Sequence, residues 1–304
     1  MTATTDLEST LGRLMQEELF SQPDCWEAAA GMSDAQAVLR SPGLSMAIIG
    51  CGTSWFVAQS VAALRERAGF GLTDPFAASE ARLDGRSYDL VLALSRSGTT
   101  TEIVTLMQQA PAGARRIAIV ADVDSPVATL ADSVISMPFA EESSVVQTRF
   151  ASTTIALARA ACGTDLTDAI AEARSVLTDE VPPALVDAEQ LTCLGRDWTV
   201  GIAHEAALKM REASHAWTES YPAMEYRHGP VAISTAGRVV WMFGSAPDRL
   251  AGEVSGTGAT FVQHDRDPLA ELVLAHRTAL ARARSRGLDA DTPRHLTRSV
   301  ILST

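Results

Sequence analysis

Glu205, Lys209 and Glu212 lie at helical spacing in the stretch His204-Glu205-Ala206-Ala207-Leu208-Lys209-Met210-Arg211-Glu212. Lys and Arg together number 25, and Lys209 is the one lysine among them. Such a skew fits a genome that avoids A-rich codons and lets Arg replace Lys wherever a generic positive charge suffices. A lysine kept under that pressure points to work a guanidinium cannot do: a compact ammonium on a flexible stem. Lys209 and Glu212 share a helix face at i,i+3, and a carboxylate beside an ammonium suits a general base with an electrostatic partner for a developing oxyanion. A surface i,i+4 ion pair is the plainer reading of the same spacing. Downstream, Glu219 precedes His228-Gly229-Pro230, a loop histidine that is either solvated or a proton carrier.

Two other stretches can hold a ligand. Gly50-Cys51-Gly52-Thr53-Ser54 begins like a dinucleotide fingerprint, but Trp55 stands where the third glycine belongs, and its bulk blocks close approach of a pyrophosphate. What remains is a tight turn offering the Thr53 and Ser54 hydroxyls at a helix start. Ser95-Arg96-Ser97-Gly98-Thr99-Thr100-Thr101-Glu102 follows an apolar strand. Its hydroxyls, its glycine and a starting helix suit a phosphate. A capping box from Thr99 to Glu102 accounts for one Thr and one Glu. It leaves Ser95 and Ser97 unexplained at a strand's C-terminal end, where open α/β sheets bind ligands. The corresponding loop later in the chain, Phe243-Gly244-Ser245-Ala246-Pro247-Asp248, has lost the hydroxyls. One phosphate site per chain is therefore expected.

The elements that must position these residues alternate in type. Residues 1–45 read as an N-terminal helical segment, with Leu7, Leu11, Leu14, Met15 and Leu19 at three-to-four spacing. Buried strands are predicted at Met46–Gly50, Tyr88–Leu94, Arg116–Ala121 and Ser133–Met137. The helices between them end near Gly69, Gln109, Ala131 and Cys162. Continuous apolar strands alternating with helices indicate a parallel α/β sheet covered on both faces. The pattern recurs at Leu191–Gly195, Val239–Phe243 and Ala259–Val262. The expected fold is α/β, two doubly wound halves of flavodoxin-like kind. Their boundaries fall at 46–163 and 189–304, joined by a linking helix within 164–188.

Composition narrows the partners. A net charge of -12 argues against nucleic acid and anionic membranes. The four cysteines, Cys25, Cys51, Cys162 and Cys193, form no metal-ligand or disulfide pattern, and no metal or cofactor is expected. Neither a leader-like start nor a membrane-length apolar run is evident, so a cytoplasmic protein is expected.

The residues above are similar to the SIS (sugar isomerase) family, and specifically to the double-SIS isomerase half of the glucosamine-6-phosphate synthases. The matching stretches are Cys51–Ser54, Ala78–Glu80, Leu94–Thr100, Val145–Arg149, Glu205–Pro230 and the tail Asp291–Val300. The resemblance implies that Thr53, Ser54, Ser95, Ser97 and Thr100 hold a sugar 6-phosphate, and that Glu212 moves the proton between C1 and C2. Lys209 would bond the reacting oxygens. His228 would assist ring opening from the neighbouring subunit of a homodimer with shared sites. Gly52, Val145, Glu219 and Arg298 would line the sugar. No glutaminase region precedes these motifs, so ammonia transfer from glutamine is not expected. One position departs from the family: where a tail lysine forms an imine with the ketose, this chain has Arg298, which stays protonated and cannot.

Three outcomes share the first step, removal of the C2 proton. Return of the proton at C1 gives an isomerase, and loss of the amine after it a deaminase; this pair is the leading expectation, on an amino-sugar 6-phosphate. Expulsion of the C3 hydroxyl gives a dehydratase or lyase. A non-catalytic phosphosugar sensor would keep the hydroxyl loop and have no use for Lys209 with Glu212.

Overall fold

The computed structural model describes residues 10–302, so Leu7 lies outside the described residues. The chain divides into two compact units, each built from segments distant in sequence. One contains Asp24–Glu142, Arg149–Leu166 and the tail from Thr297. The other contains the described residues up to Pro23, with Ser143–Thr148 and Thr167–Leu296.

The first unit is a five-stranded parallel sheet: β1 (Met46–Gly50), β2 (Thr73–Ala77), β3 (Leu90–Leu94), β4 (Arg115–Val120) and β5 (Ser133–Ser136), in the order β2-β1-β3-β4-β5. Every residue of β1 and β3 is buried, as the unbroken apolar runs require of strands covered on both faces. Helix α4 (Thr53–Arg67) follows β1, and α5 (Thr101–Gln108) follows β3. Between β1 and β3 the strand order reverses, which makes their C-terminal ends the switch point of this sheet. The reading of an N-terminal helical segment is met by α1 (Arg13–Phe20), α2 (Gln22–Ala30) and α3 (Ser33–Arg40). A helix α6 (Pro126–Leu130) follows β4, and α7 (Arg149–Ala161) closes the run, starting later than the sequence suggested. A short 3-10 turn at Pro138–Ala140 and a loop through residue 148 come first.

The second unit repeats the plan with four parallel strands: β6 (Gln190–Gly195), β7 (Thr218–Pro222), β8 (Arg238–Phe243) and β9 (Thr260–Val262), in the order β7-β6-β8-β9. Its helices are α8 (Thr167–Thr178), α9 (Pro183–Asp187), α10 (Thr199–Ser214), α11 (Leu250–Ser255) and α12 (Pro268–Ser285). The fold is thus α/β with two doubly wound parallel halves, and the first has the flavodoxin strand order.

Strands β2 and β7 have no counterpart in the sequence reading. Both are edge strands carrying a proline, Pro75 and Pro222. An edge strand can spare the amide donor that proline lacks, so its sequence need not look like that of a strand. In both halves the turn after the first strand is so close that a glycine is needed. A Cβ on Gly50 or Gly195 would fall 2.5 Å or 2.2 Å from the backbone of the helix that follows.

Among the described residues no helix is long and apolar enough to cross a membrane, and no group of three His, Cys, Asp or Glu could hold a metal ion.

Candidate active site

Helix α10 carries the pair singled out by spacing. Its first turn is tied to the sheet by Thr199, whose hydroxyl lies 2.8 Å from the Arg196 carbonyl and 2.9 Å from that of Phe243. It ends at His215, in a left-handed conformation (φ 53). Between these ends Ile202, Ala203, Ala206, Ala207 and Met210 are buried, and so are Glu205 and Lys209. Lys209 is not part of a surface ion pair, because its exposure is 0%. Its Nζ donates to Glu212 and lies 3.9 Å from Glu205. The Glu212 side chain keeps 20% exposure and faces a recess of about 430 Å³, lined also by Leu208, Arg211, His215, Arg294 and Leu296. A carboxylate open to a recess with a buried ammonium as its partner has what a proton-abstracting base requires: access and a fixed orientation. Lys209 keeps Glu205 at 3.9 Å on its other side, so its buried charge does not depend on Glu212 alone.

Behind Lys209 the buried polar chain continues. Glu205 Oε2 lies 3.1 Å from His276 Nε2, and His276 Nδ1 lies 3.3 Å from Gln22 Nε2. All four side chains are fully buried. Sequence reasoning noted Glu205 by its spacing. It had no signal for His276, which sits in α12 among apolar residues, or for Gln22.

Two further residues of this unit stand apart from that recess. Glu219, on β7, accepts from the Tyr221 hydroxyl at 3.1 Å and opens onto a second recess, with Glu189, Trp217 and Arg238. His228 ends a 3-10 turn, Glu225–His228, and is exposed. Val145 donates its amide to the Asp291 carbonyl at 3.1 Å. Asp291 in turn accepts from Leu14 and Met15 at 2.9 and 2.7 Å, at the start of α1.

In the other unit the two hydroxyl loops follow β1 and β3, side by side in the sheet. Thr53 and Ser54 open α4 and are buried, behind the left-handed Gly52 (φ 53). Ser95 and Ser97 are buried as well. The Gly98 amide donates to Ser95 Oγ at 3.1 Å, and Thr99 Oγ1 lies 3.0 Å from Ser97 Oγ. The capping-box reading fails: the cap position of α5 is Thr100, and its side chain makes no cap hydrogen bond. The hydroxyls turn instead to the tail, where Ser299 Oγ lies 3.0 Å from Thr99 Oγ1 and 3.3 Å from Thr100 Oγ1. The Thr101 amide donates to the Val300 carbonyl at 3.2 Å. A recess of about 410 Å³ is lined by Ser97, Thr99, Asp122, Thr297, Arg298 and Ser299. Arg298 pairs with Glu141 at 2.5 Å, and its carbonyl accepts from Arg96 at 3.2 Å. Hydroxyls and a guanidinium around one recess at a helix start are donors suited to an oxyanion. Nearby Cys51 is no nucleophile: burial, and next the charge of Glu102, push its thiol up to about 11. Ser299 and Thr297 lie in the tail stretch whose resemblance pointed to Arg298, but neither was singled out as a site residue.

With this geometry in place, comparison with known proteins supplies the family. Residues 39–161 match the family described as SIS domain. This stretch is a SIS domain. A glutamine–fructose-6-phosphate aminotransferase (isomerizing) from Zymomonas mobilis is 27% identical over 257 residues, which cover 72% of this chain and 42% of that protein. The chain thus spans less than half the length of that relative. Among solved structures, glucosamine-6-phosphate deaminase from Thermotoga maritima aligns with a TM-score of 0.75 at 24% identity, covering 95% of this chain and 99% of its own. The C-terminal domain of glucosamine-fructose-6-phosphate aminotransferase from Francisella tularensis aligns at 0.74 and 20% identity, covering 92% and 98%. Both carry the same fold. The SIS domain contains the two hydroxyl loops, and α10 with Glu212 belongs to the half that follows it.

Proposed function

We propose that this chain is a phosphosugar-processing enzyme of SIS type, acting on an amino-sugar 6-phosphate as an isomerase/deaminase. The observation that carries the reading is the state of Lys209: a fully buried ammonium bonded to a carboxylate that itself reaches a recess. A sensor of phosphosugars has no use for such a pair. The reading is supported by the names of similar proteins, an isomerizing aminotransferase and a glucosamine-6-phosphate deaminase.

In this mechanism Thr53, Ser54, Ser95, Ser97 and Thr100 bind the 6-phosphate, and Gly52, Val145, Glu219 and Arg298 contact the sugar. His228 transfers the proton that opens the ring, supplied by a second copy in a homodimer. Glu212 removes the C2 proton, and the electron pair moves onto the carbonyl oxygen at C1, where Lys209 donates a hydrogen bond. Glu212 then delivers the proton to C1. With a free amine at C2 this leaves an imine, which water hydrolyses to a ketose 6-phosphate and ammonia.

A lyase is the second reading, favoured by Arg298. Its guanidinium cannot form an imine, and it is held by Glu141. Loss of the C3 hydroxyl from the same enediolate needs no imine.

NMR of products from glucosamine 6-phosphate and N-acetylglucosamine 6-phosphate tests both. Ketose phosphate with ammonia is expected, whereas an unsaturated or 3-deoxy product would replace the first reading by the second. Glu212→Gln is expected to bind the sugar phosphate while kcat falls by at least about 100-fold. Full activity in that variant would remove Glu212 as the base, and no turnover of either sugar by the native chain would sink the proposal.

A further inference from the structure

The base assignment leaves a buried row of groups unused: Glu205, His276 and Gln22, each with 0% exposure. Their hydrogen bonds define a direction. Gln22 Nε2 lies 3.3 Å from the Leu19 carbonyl, which can only accept, so the amide nitrogen is the donor there. The same NH2 group lies 3.3 Å from His276 Nδ1, which must then be an acceptor. The ring proton is therefore on Nε2, and it is donated to Glu205 Oε2 at 3.1 Å. The other oxygen of Glu205, Oε1, has no hydrogen-bond partner and stands 3.9 Å from Lys209 Nζ.

We infer that Gln22 and His276 are positioning residues for catalysis, acting through Glu205 to hold Lys209 as an ammonium while Glu212 changes charge. The inference rests on Glu212 being the base. In the resting enzyme Lys209 is bonded to Glu212. When Glu212 accepts the C2 proton its carboxylate becomes a neutral acid, and its hold on the ammonium weakens. A fully buried ammonium with no other carboxylate would then be an uncompensated charge. Glu205 supplies the second carboxylate. The His276 tautomer makes Glu205 an acceptor on its far side and aims its second oxygen at Lys209. The ammonium stays charged and is released from Glu212 at the moment negative charge grows on the substrate oxygen. As the proton goes back to carbon, Glu212 regains its charge and recaptures Lys209.

Two variants break the row at different points. His276→Phe removes the donor to Glu205, and Gln22→Met removes the group that sets the tautomer. Each is expected to lower kcat on glucosamine 6-phosphate on the order of 10- to 100-fold, with KM kept within about twofold. His276→Gln, whose amide can donate to Glu205 and accept from Gln22, is expected to recover most of kcat. A readout independent of turnover exists because the chain has one lysine. In protein labelled with 13C-lysine the Lys209 ε-methylene is a single signal. Its two protons are expected to be distinct in the native chain and to merge in His276→Phe and Gln22→Met as the side chain loses its anchor. Native kcat together with two distinct ε protons in either folded variant overturns the inference, and Gln22→Met decides it should His276→Phe not fold. Glu212→Gln, measured alongside, separates the two proposals. If that variant turns over normally the base assignment falls, whereas the Lys209 signal in the other two still decides the anchoring.

Discussion

A glycine can decide whether the proposed phosphate loop forms at all. Gly98 sits at φ +62, and a Cβ there would lie 2.0 Å from Ser125 Oγ and 2.4 Å from Ser125 Cβ. Ser125 cannot yield easily, because its hydroxyl donates to the Asp122 carbonyl at 2.7 Å and its own carbonyl starts α6. Gly98→Ala therefore meets two penalties, the left-handed backbone and the clash. We expect it to lose at least about 1 kcal/mol of stability. Binding of phosphorylated substrate should weaken as well, because the Gly98 amide and Ser95 Oγ move together. Thermal denaturation and KM for the sugar phosphate measure the two effects, and an unchanged KM would place the phosphate elsewhere. Ser97→Ala with Thr100→Ala is the gentler test of the same loop, expected to raise KM without the backbone strain. Glu212 and Lys209 were legible as a pair from spacing alone. Their burial was not, because an i,i+3 ion pair has the same letters on a surface as in a core.

At the scale of elements, α10 is pinned to β7 by His204, whose Nδ1 lies 2.8 Å from Ser220 Oγ. Burial, and next the charge of Arg211, lower its pKa below the ordinary 6.5. The folded chain therefore binds this proton less readily than the unfolded one. The stabilisation is full above about pH 6.5 and is lost as pH falls below that value toward the folded pKa. Melting temperature should drop between about pH 7.5 and pH 5.5, and His204→Gln should narrow that drop. An equal drop in the variant would assign the acid sensitivity to other groups. Most elements follow from pattern: β1 and β3 are wholly apolar and buried, and β4, β6 and β8 are buried over most of their length although they include Arg115, Arg116, Gln190, Thr192 and Arg238. The edge strands β2 and β7 were illegible because edges tolerate Pro75 and Pro222 and need no apolar face. The expected long helix before Cys162 is shortened for a polar reason. Glu142, fully buried, accepts from the Arg149 amide at 2.8 Å, so the chain ahead of α7 serves as its cap rather than as more helix.

Over the whole molecule, the Lys-to-Arg skew takes on a structural meaning. Each unit contains a buried arginine that gathers backbone carbonyls. In one, Arg65 donates to the carbonyls of Leu39, Ser41, Leu44 and Gly71 at 2.8–3.2 Å, and to Thr73 Oγ1 at 2.7 Å. In the other, Arg282 donates to Leu185, Val186 and Ala188 at 2.6–3.0 Å, and burial, followed by the charge of Arg286, lowers its pKa to about 10. A planar guanidinium has five donors, enough for the five acceptors around Arg65, whereas an ammonium has three. Arg65 joins the end of α3, the last turn of α4 and the start of β2, three elements that share no strand ladder there. An ammonium has three donors for these five acceptors, so Arg65→Lys loses at least two hydrogen bonds, each worth about 0.5–1.5 kcal/mol. The expected loss is about 1–3 kcal/mol, read as a lower denaturant midpoint with an unchanged slope. Arg282→Lys should act in the same direction and more weakly, since it serves fewer carbonyls. The substitution also adds a second lysine to a chain that has one, and its ε-methylene signal would report directly whether the new ammonium reaches its carbonyls. A midpoint within experimental error of the native value for Arg65→Lys would mean that the carbonyls are served without the fork. The skew would then be a matter of codons alone.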